Sequence, residues 1–172
     1  MNTVKKIRNT ILALVLIFTS NLVKSQINFG GGLAYGTEIE SLGFNIRGGY
    51  LLAEKLNFNG GFTYFIPREE NMFKSELWTA DFDAAFWLDL SDNIIFYPMA
   101  GLNITNYTIQ PLYDQGIEGI ISDGDTETRV GLNLGGGLGY RLGNTVPFVE
   151  GKYIVSDFDQ AVFNVGVLFM LQ

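Results

Sequence analysis

The residues best equipped for chemistry occur at every second position of strongly patterned stretches. Asp81, Asp83 and Asp89 share one parity of the stretch Glu76 to Leu90. Arg129 and Arg141 share the glycine-bearing parity of the run RVGLNLGGGLGYRL. Glu150 and Lys152 are two apart, and so are Asn45 and Arg47. Paired carboxylates can do acid–base work, and charged rings inside a pore can pass protons or ions. Side chains alternate faces along a strand, so this spacing says that the charges share a face. In a narrow tube filled by side chains such charges must pair, because an unpaired buried charge is costly. An interior network of Arg47, Asp81, Asp83, Asp89, Arg129, Arg141, Glu150 and Lys152 is therefore expected to be structural. A charge-lined ion path is the alternative.

A second cluster, Asp123, Asp125 and Glu127, lies in the sequence DGDTE. Calcium takes several oxygen ligands of this kind. The spacing falls short of a full EF-hand loop, so a solvated acidic loop is preferred over a weak cation site. Divalent cations bridging these acids to lipopolysaccharide phosphates would need no dedicated cage. No catalytic residue, cofactor or resident metal is expected. The run Gly135 to Gly137 sits mid-strand with no helix following it, so it is no dinucleotide fingerprint. Asn103-Ile104-Thr105 matches a glycosylation triplet but falls within an expected membrane strand, and is set aside.

These residues need strands to position them. Along RVGLNLGGGLGYRL the even positions are greasy and the odd ones are glycine, asparagine or arginine. A polar face that is also the cramped face suits the inside of a narrow closed barrel, with the greasy face turned to lipid. The same period-two pattern predicts eight strands: Ile27 to Thr37, Leu42 to Leu51, Lys55 to Ile66, Glu76 to Leu90, Asn93 to Thr105, Arg129 to Leu142, Val146 to Val155 and Ala161 to Leu171. The fifth is the least clean, because Ile95 and Met99 blur the alternation and Pro98 removes a ladder donor. Ala53-Glu54, Ser91-Asp92 and Gly143-Asn144 read as tight turns. Arg68 to Ser75 and Tyr107 to Thr126 read as long polar loops. Thr37 to Ser41 and Ser156 to Gln160 are shorter and charged. Short turns at one end and longer loops at the other place both termini on the periplasmic side of an outer-membrane barrel. Outward aromatics gather at both ends: Phe29, Phe58, Tyr140 and Phe169 toward the turns, and Tyr35, Tyr64, Trp78 and Tyr153 toward the loops. Two such rings would mark the lipid–water boundaries.

The chain opens with Lys5, Lys6 and Arg8, then an apolar run from Ile11 to Phe18, then Val23 and Ser25 at the small-residue positions before a cut. That three-part pattern is a cleaved signal peptide over residues 1–25, leaving a barrel domain over 26–172. The apolar run is too short for a membrane span, which needs roughly 20 residues. The remaining chain keeps seven basic and all eighteen acidic residues, a formal charge of about −11 that argues against nucleic-acid binding. With no cysteine there is neither a disulfide nor a cysteine-linked lipid.

Signal, alternation, short and long connections and a final apolar strand together resemble the small outer-membrane beta-barrel family, of the OmpA/OmpX-like eight-stranded kind. The last strand, VFNVGVLFMLQ, is similar to the C-terminal signal that barrel-assembly machinery reads in that family, although here Phe169 lies short of the end. The resemblance implies an all-β, eight-stranded antiparallel up-and-down transmembrane barrel in a Gram-negative outer membrane, surrounded by lipid and lipopolysaccharide. It implies a filled interior and a non-enzymatic role in envelope structure, or in interaction through the long loops. A narrow transport or ligand-binding barrel is one alternative. A lipid-modifying enzyme is another, weakened because such barrels rely on histidine and this chain has none. A soluble lipocalin-like barrel, which should fold without detergent, is a third.

Overall fold

A computed structural model describes residues 26–52, 55–70, 73–111 and 125–171. The expected signal peptide and the Ala53-Glu54 turn lie outside the described residues. Eight long strands form: β1 (Gln26–Gly36), β2 (Ser41–Leu51), β3 (Leu56–Phe65), β5 (Phe73–Phe86), β7 (Ile94–Pro111), β8 (Asp125–Tyr140), β9 (Thr145–Val155) and β10 (Gln160–Leu171). Two short ones, β4 (Arg68–Glu70) and β6 (Leu88–Asp89), add to the ends of the wall beside β5 and β7 respectively. Every pairing is antiparallel. The ring closes because β1 pairs with β10 from Ile27↔Leu171 to Gly36↔Val162 while β5 pairs with β7. The result is an all-β, eight-stranded up-and-down barrel.

Closure demands glycine at the seam. A Cβ on Gly30 would lie 2.0 Å from the Val167 carbonyl oxygen, and one on Gly32 would lie 2.0 Å from that of Val165. These are contacts with backbone, which no side-chain rearrangement relieves. Gly60 has open space where its Cβ would be, so that glycine is not sterically required.

The two faces separate as the alternation demands. Ile46 is 66% exposed, Leu134 55% and Val165 53%, whereas their strand neighbours Asn45, Asn133 and Asn164 are buried. Large apolar side chains exposed all round a closed wall form a lipid-facing surface, because water would penalise so extensive an apolar patch. The expected aromatic rings are present on this surface: Phe29 stacks on Phe169 with centroids 5.5 Å apart near the short turns, and Tyr35, Tyr64 and Tyr153 are exposed near the loops.

The inner face is not polar throughout, which corrects the simple rule of oily groups out and ionic groups in. It has three layers. At the short-turn end Leu51, Trp87, Ile95, Met99, Val146 and Phe148 form an apolar plug. At the loop end Ala34, Ile39, Phe65, Leu77, Ile154 and Val162 form another, with Tyr107 and Phe158 packed on it. The charged side chains lie between, while Asn57 and Gln160 are buried level with the lower and upper plugs. Ile95 and Met99 therefore blur the alternation of β7 because both parities of that strand are apolar where it passes the lower plug.

The expected long loops are also partly strand. β7 and β8 stay paired up to Ile109↔Asp125, and β5 and β7 up to Phe73↔Pro111. Cross-strand hydroxyl and amide contacts extend this ladder: Asn106 Nδ2 donates to Thr128 Oγ1 at 2.9 Å, and Thr108 and Thr126 share a hydrogen bond at 3.0 Å. Threonine favours the pleated conformation, so polarity alone misidentified this stretch as loop.

Steric closure at the seam yields a direct test. Gly32→Val should abolish the fast-migrating, heat-modifiable band of the folded barrel in unboiled gel samples. Gly60→Ala should leave that band intact.

Candidate functional site

The central layer holds two ion pairs and their supporting amides. Arg47, on β2, reaches across the barrel to Glu150 on β9. Its Nη1 donates to Oε2 at 2.8 Å and its Nη2 to Oε1 at 3.1 Å, a fork matching both carboxylate oxygens. Tyr97 Oη donates to Oε2 at 3.2 Å and Asn164 Nδ2 to Oε1 at 3.1 Å. Behind the guanidinium, Nε donates to Asn45 Oδ1 at 2.8 Å, and the Phe148 ring centroid lies 4.6 Å from the central carbon. Four neighbours, Asn45, Tyr97, Phe148 and Asn164, thus fix a planar cation and a buried anion.

Lys152 Nζ lies 2.6 Å from Asp81 Oδ2 in the second pair. Asn103 Nδ2 donates to Asp81 Oδ1 at 2.7 Å, and Thr105 Oγ1 donates to Asn103 Oδ1 at 2.6 Å. Asn133 Nδ2 bridges two carboxylates, Asp81 at 2.9 Å and Asp83 at 2.8 Å. Asp83 finds room because Gly101 faces it across the ladder, where a Cβ would lie 2.3 Å from Asp83 Oδ1. Burial without partners would be costly for any of these charges, and the amides supply the partners.

The eight charges expected to share one interior network do not all do so. The structure brings together Arg47, Asp81, Asp83, Glu150 and Lys152. Asp89 and Arg141 instead pair with each other at the short-turn rim, at 2.7 Å and partly exposed. They lie beyond the lower plug, so one-face spacing carried them past the end of the enclosed lumen. Arg129 lies at the opposite rim, where it pairs with Glu127, and its Nη1 donates to the Asp157 carbonyl at 2.6 Å. Of the possible cation cluster, Asp123 lies outside the described residues, Asp125 is exposed, and Glu127 is taken up with Arg129. No group of three or more metal-binding side chains occurs among the described residues.

Sequence reasoning missed the supporting residues more than the charges. Asn103, noted above only within a glycosylation triplet, is a buried donor to Asp81. Tyr97 was passed over although it shares the inward parity of Ile95 and Met99. Parity was the available signal for both.

Among the described residues the charged layer is nearly full. A cavity of about 10 Å³ lies among Arg47, Asp81, Asp83, Glu150 and Lys152, space for one water at most. A concavity of about 630 Å³ lies along the wall over Gly136 and Gly151 and is lined mainly by outward side chains such as Leu138, Val149, Phe163 and Val165. It is a groove in the lipid-facing surface and not a chamber.

Comparison with known proteins finds the same architecture. No family model matches the chain, and no curated protein matches it. Among solved structures, Ail, the attachment invasion locus protein of Yersinia pestis, is 15% identical, covers 86% of this chain and 97% of its own length, and has a TM-score of 0.60. The N-terminal β-barrel domain of Pseudomonas aeruginosa OprF is 16% identical over 86% of this chain and 96% of that one, with a TM-score of 0.62. The outer membrane protein OprG from Pseudomonas aeruginosa is 11% identical over 86% and 96%, with a TM-score of 0.65. The chain therefore has the fold of small outer-membrane barrels.

The ion pairs make a quantitative prediction. Glu150→Ala leaves Arg47 buried without its partner and should destabilise the barrel by about 3–5 kcal/mol in urea unfolding from lipid vesicles. The double variant Arg47→Met, Glu150→Leu should lose much less. Asp89→Asn, at the exposed rim pair, should cost less than about 1 kcal/mol.

Proposed function

We propose that this chain is an integral outer-membrane barrel without enzymatic activity, acting in envelope structure and in contacts made at its loop end. The observation that carries the reading is the wall itself: a continuous apolar outer surface bounded by aromatic rings, around a lumen plugged at both ends. The neighbouring folds support the compartment. The printed name of the Yersinia pestis barrel ties that protein to attachment. A surface role for the present chain is our extension from the shared fold.

A filled lumen favours structure over transport. Arg47 and Lys152 are committed to Glu150 and Asp81, Asp83 is held by the Asn133 amide, and the apolar plugs leave no hydrated path through the described residues. The absence of histidine leaves acyl-transfer chemistry without its usual base. The partners under this reading are outer-membrane lipid, lipopolysaccharide around the loop end and, during biogenesis, the assembly machinery that receives β10. Carboxylates such as Asp125 and Glu127 could meet lipopolysaccharide phosphates through bridging divalent cations.

Fractionation should place the mature chain in the outer membrane, with gel migration that changes on boiling. In planar bilayers the purified barrel should show no steady conductance. Stable channels that disappear when the lumen is blocked would replace this reading with the transport one.

A further inference from the structure

Two rows of outward residues run side by side across the strands from β1 through β10, β9 and β8 to β7. One is Leu33, Val165, Val149, Leu138 and Phe96, each paired with the next. The other is Tyr35, Phe163, Gly151, Gly136 and Pro98. Over its two glycines the wall is bare, and the groove of about 630 Å³ lies there. Sterics do not require this gap. A Cβ on Gly151 would meet nothing nearer than Phe163 ring carbons at 3.5 Å, an ordinary contact. On inward Gly135 it would lie 2.4 Å from the Gly151 carbonyl oxygen. Gly135 thus lets the strands approach, whereas Gly151 leaves a trough on the outside of the wall.

The trough has the reach of one leaflet. From β2, where Leu42 joins its lining, to β7 it crosses six strands, roughly 24 Å at about 4.8 Å between neighbours. With strands tilted roughly 35–45°, a row perpendicular to them descends about 15 Å. That is half of a hydrocarbon core about 30 Å thick. An acyl chain entering at the loop end therefore finds a bed of its own length.

The mouth of the trough is acidic. It opens at Tyr35 and Leu42, next to the turns formed by residues 37–40 and 156–159. The β1–β2 turn meets the start of β10: Thr37 N–H donates to the Ala161 carbonyl at 3.0 Å, and Ala161 N–H donates to Thr37 Oγ1 at 3.0 Å. The two turns carry Glu38, Glu40, Asp157 and Asp159 and no basic residue. Glu40 is bound to Arg68, and Asp159 accepts from Tyr153 Oη at 3.3 Å and Ser156 N–H at 2.7 Å. The carboxylates of Glu38 and Asp157 are exposed and have no hydrogen-bonded or ion-paired partner among the described residues. A cationic group is attracted to such a mouth, and a bare phosphate is repelled by it.

We propose that this trough holds one acyl chain of an outer-leaflet lipid whose headgroup carries a free ammonium, set against Glu38 and Asp157. The chain lies over Gly151 and Gly136, with Val149 and Leu138 along one side. Lipopolysaccharide is the poorer occupant of this trough, because its phosphates meet these acids only through a divalent cation. A second barrel is poorer too, since its acidic turns would stand at the same height and face their own kind. The proposal rests on the outer-membrane reading above and names the lipid that reading leaves general.

The test places the full mature barrel in phosphatidylcholine vesicles doped with one spin-labelled lipid at a time. Electron spin resonance reads the fraction of labelled chains immobilised at the protein. Phosphatidylethanolamine should be retained about fivefold more strongly than phosphatidylglycerol. It should also exceed phosphatidylcholine, whose quaternary ammonium donates no hydrogen bond. Gly151→Leu should fill the trough and remove the preference while leaving the heat-modifiable band unchanged. The double variant Glu38→Lys, Asp157→Lys keeps the trough and should turn the preference toward phosphatidylglycerol, so it decides alone if Gly151→Leu does not fold. Equal retention of the three lipids, a preference for phosphatidylglycerol in the unaltered barrel, or a preference that survives Gly151→Leu would overturn the proposal. So would a barrel dimer that excludes the labelled lipid and dissolves in Gly151→Leu. If the barrel inserts and keeps its band, such a failure leaves the broader reading standing. If it does not enter vesicles at all, that reading falls first.

Discussion

Everything in this molecule depends on the meeting of β1 with β10. Within lipid no water is available to a bare strand edge, so the wall must return to itself. With eight strands at the tilt that closure demands, the lumen is just wide enough for side chains to fill. The interior chemistry follows from that width. Carboxylates and cations that enter so narrow a space end up beside one another. Arg47 and Glu150 come from strands on either side of the seam, β2 and β9, so their fork closes only after the ring does.

The layered interior assigns different work to different heights. Apolar plugs at both ends carry the packing, and they keep water from the central ion pairs. In a drier setting a charge interaction strengthens, and the cost of leaving a charge unpaired rises with it. The amides of Asn45, Asn103, Asn133 and Asn164 reconcile the two effects, because each adds a donor or acceptor without adding charge. The barrel thus holds five ionisable side chains in its centre with two plugs and a belt of asparagine around them.

The architecture was largely legible in the sequence, because period-two alternation is a direct record of which face each residue occupies. Leu132, Leu134 and Val165 could be placed on the outside from parity alone. The height of a residue along the barrel axis was much harder to read. Asp89, Arg129 and Arg141 have the right parity for the lumen but stand at its rims, and parity carries no information on where a wall ends. The same blindness turned the outer part of the β7–β8 hairpin into an expected loop, since a strand that rises out of the membrane loses its apolar face and keeps only its threonines. The end of β9 at Val155 was legible, but the start of β8 at Asp125, four residues before the expected Arg129, was not, because that stretch carries no apolar face.

The seam glycines carry one more implication. A displacement of β10 by two positions along β1 preserves the inside–outside alternation, so polarity by itself would tolerate it. Sterics would not. One direction brings Asn28, and the other Ala34, to a spot where a main-chain oxygen leaves no room for a side chain. Gly30 and Gly32 therefore act as a mechanical gauge: they admit a single alignment of the first strand with the last, and reject misassembled rings that hydrophobicity could not tell apart.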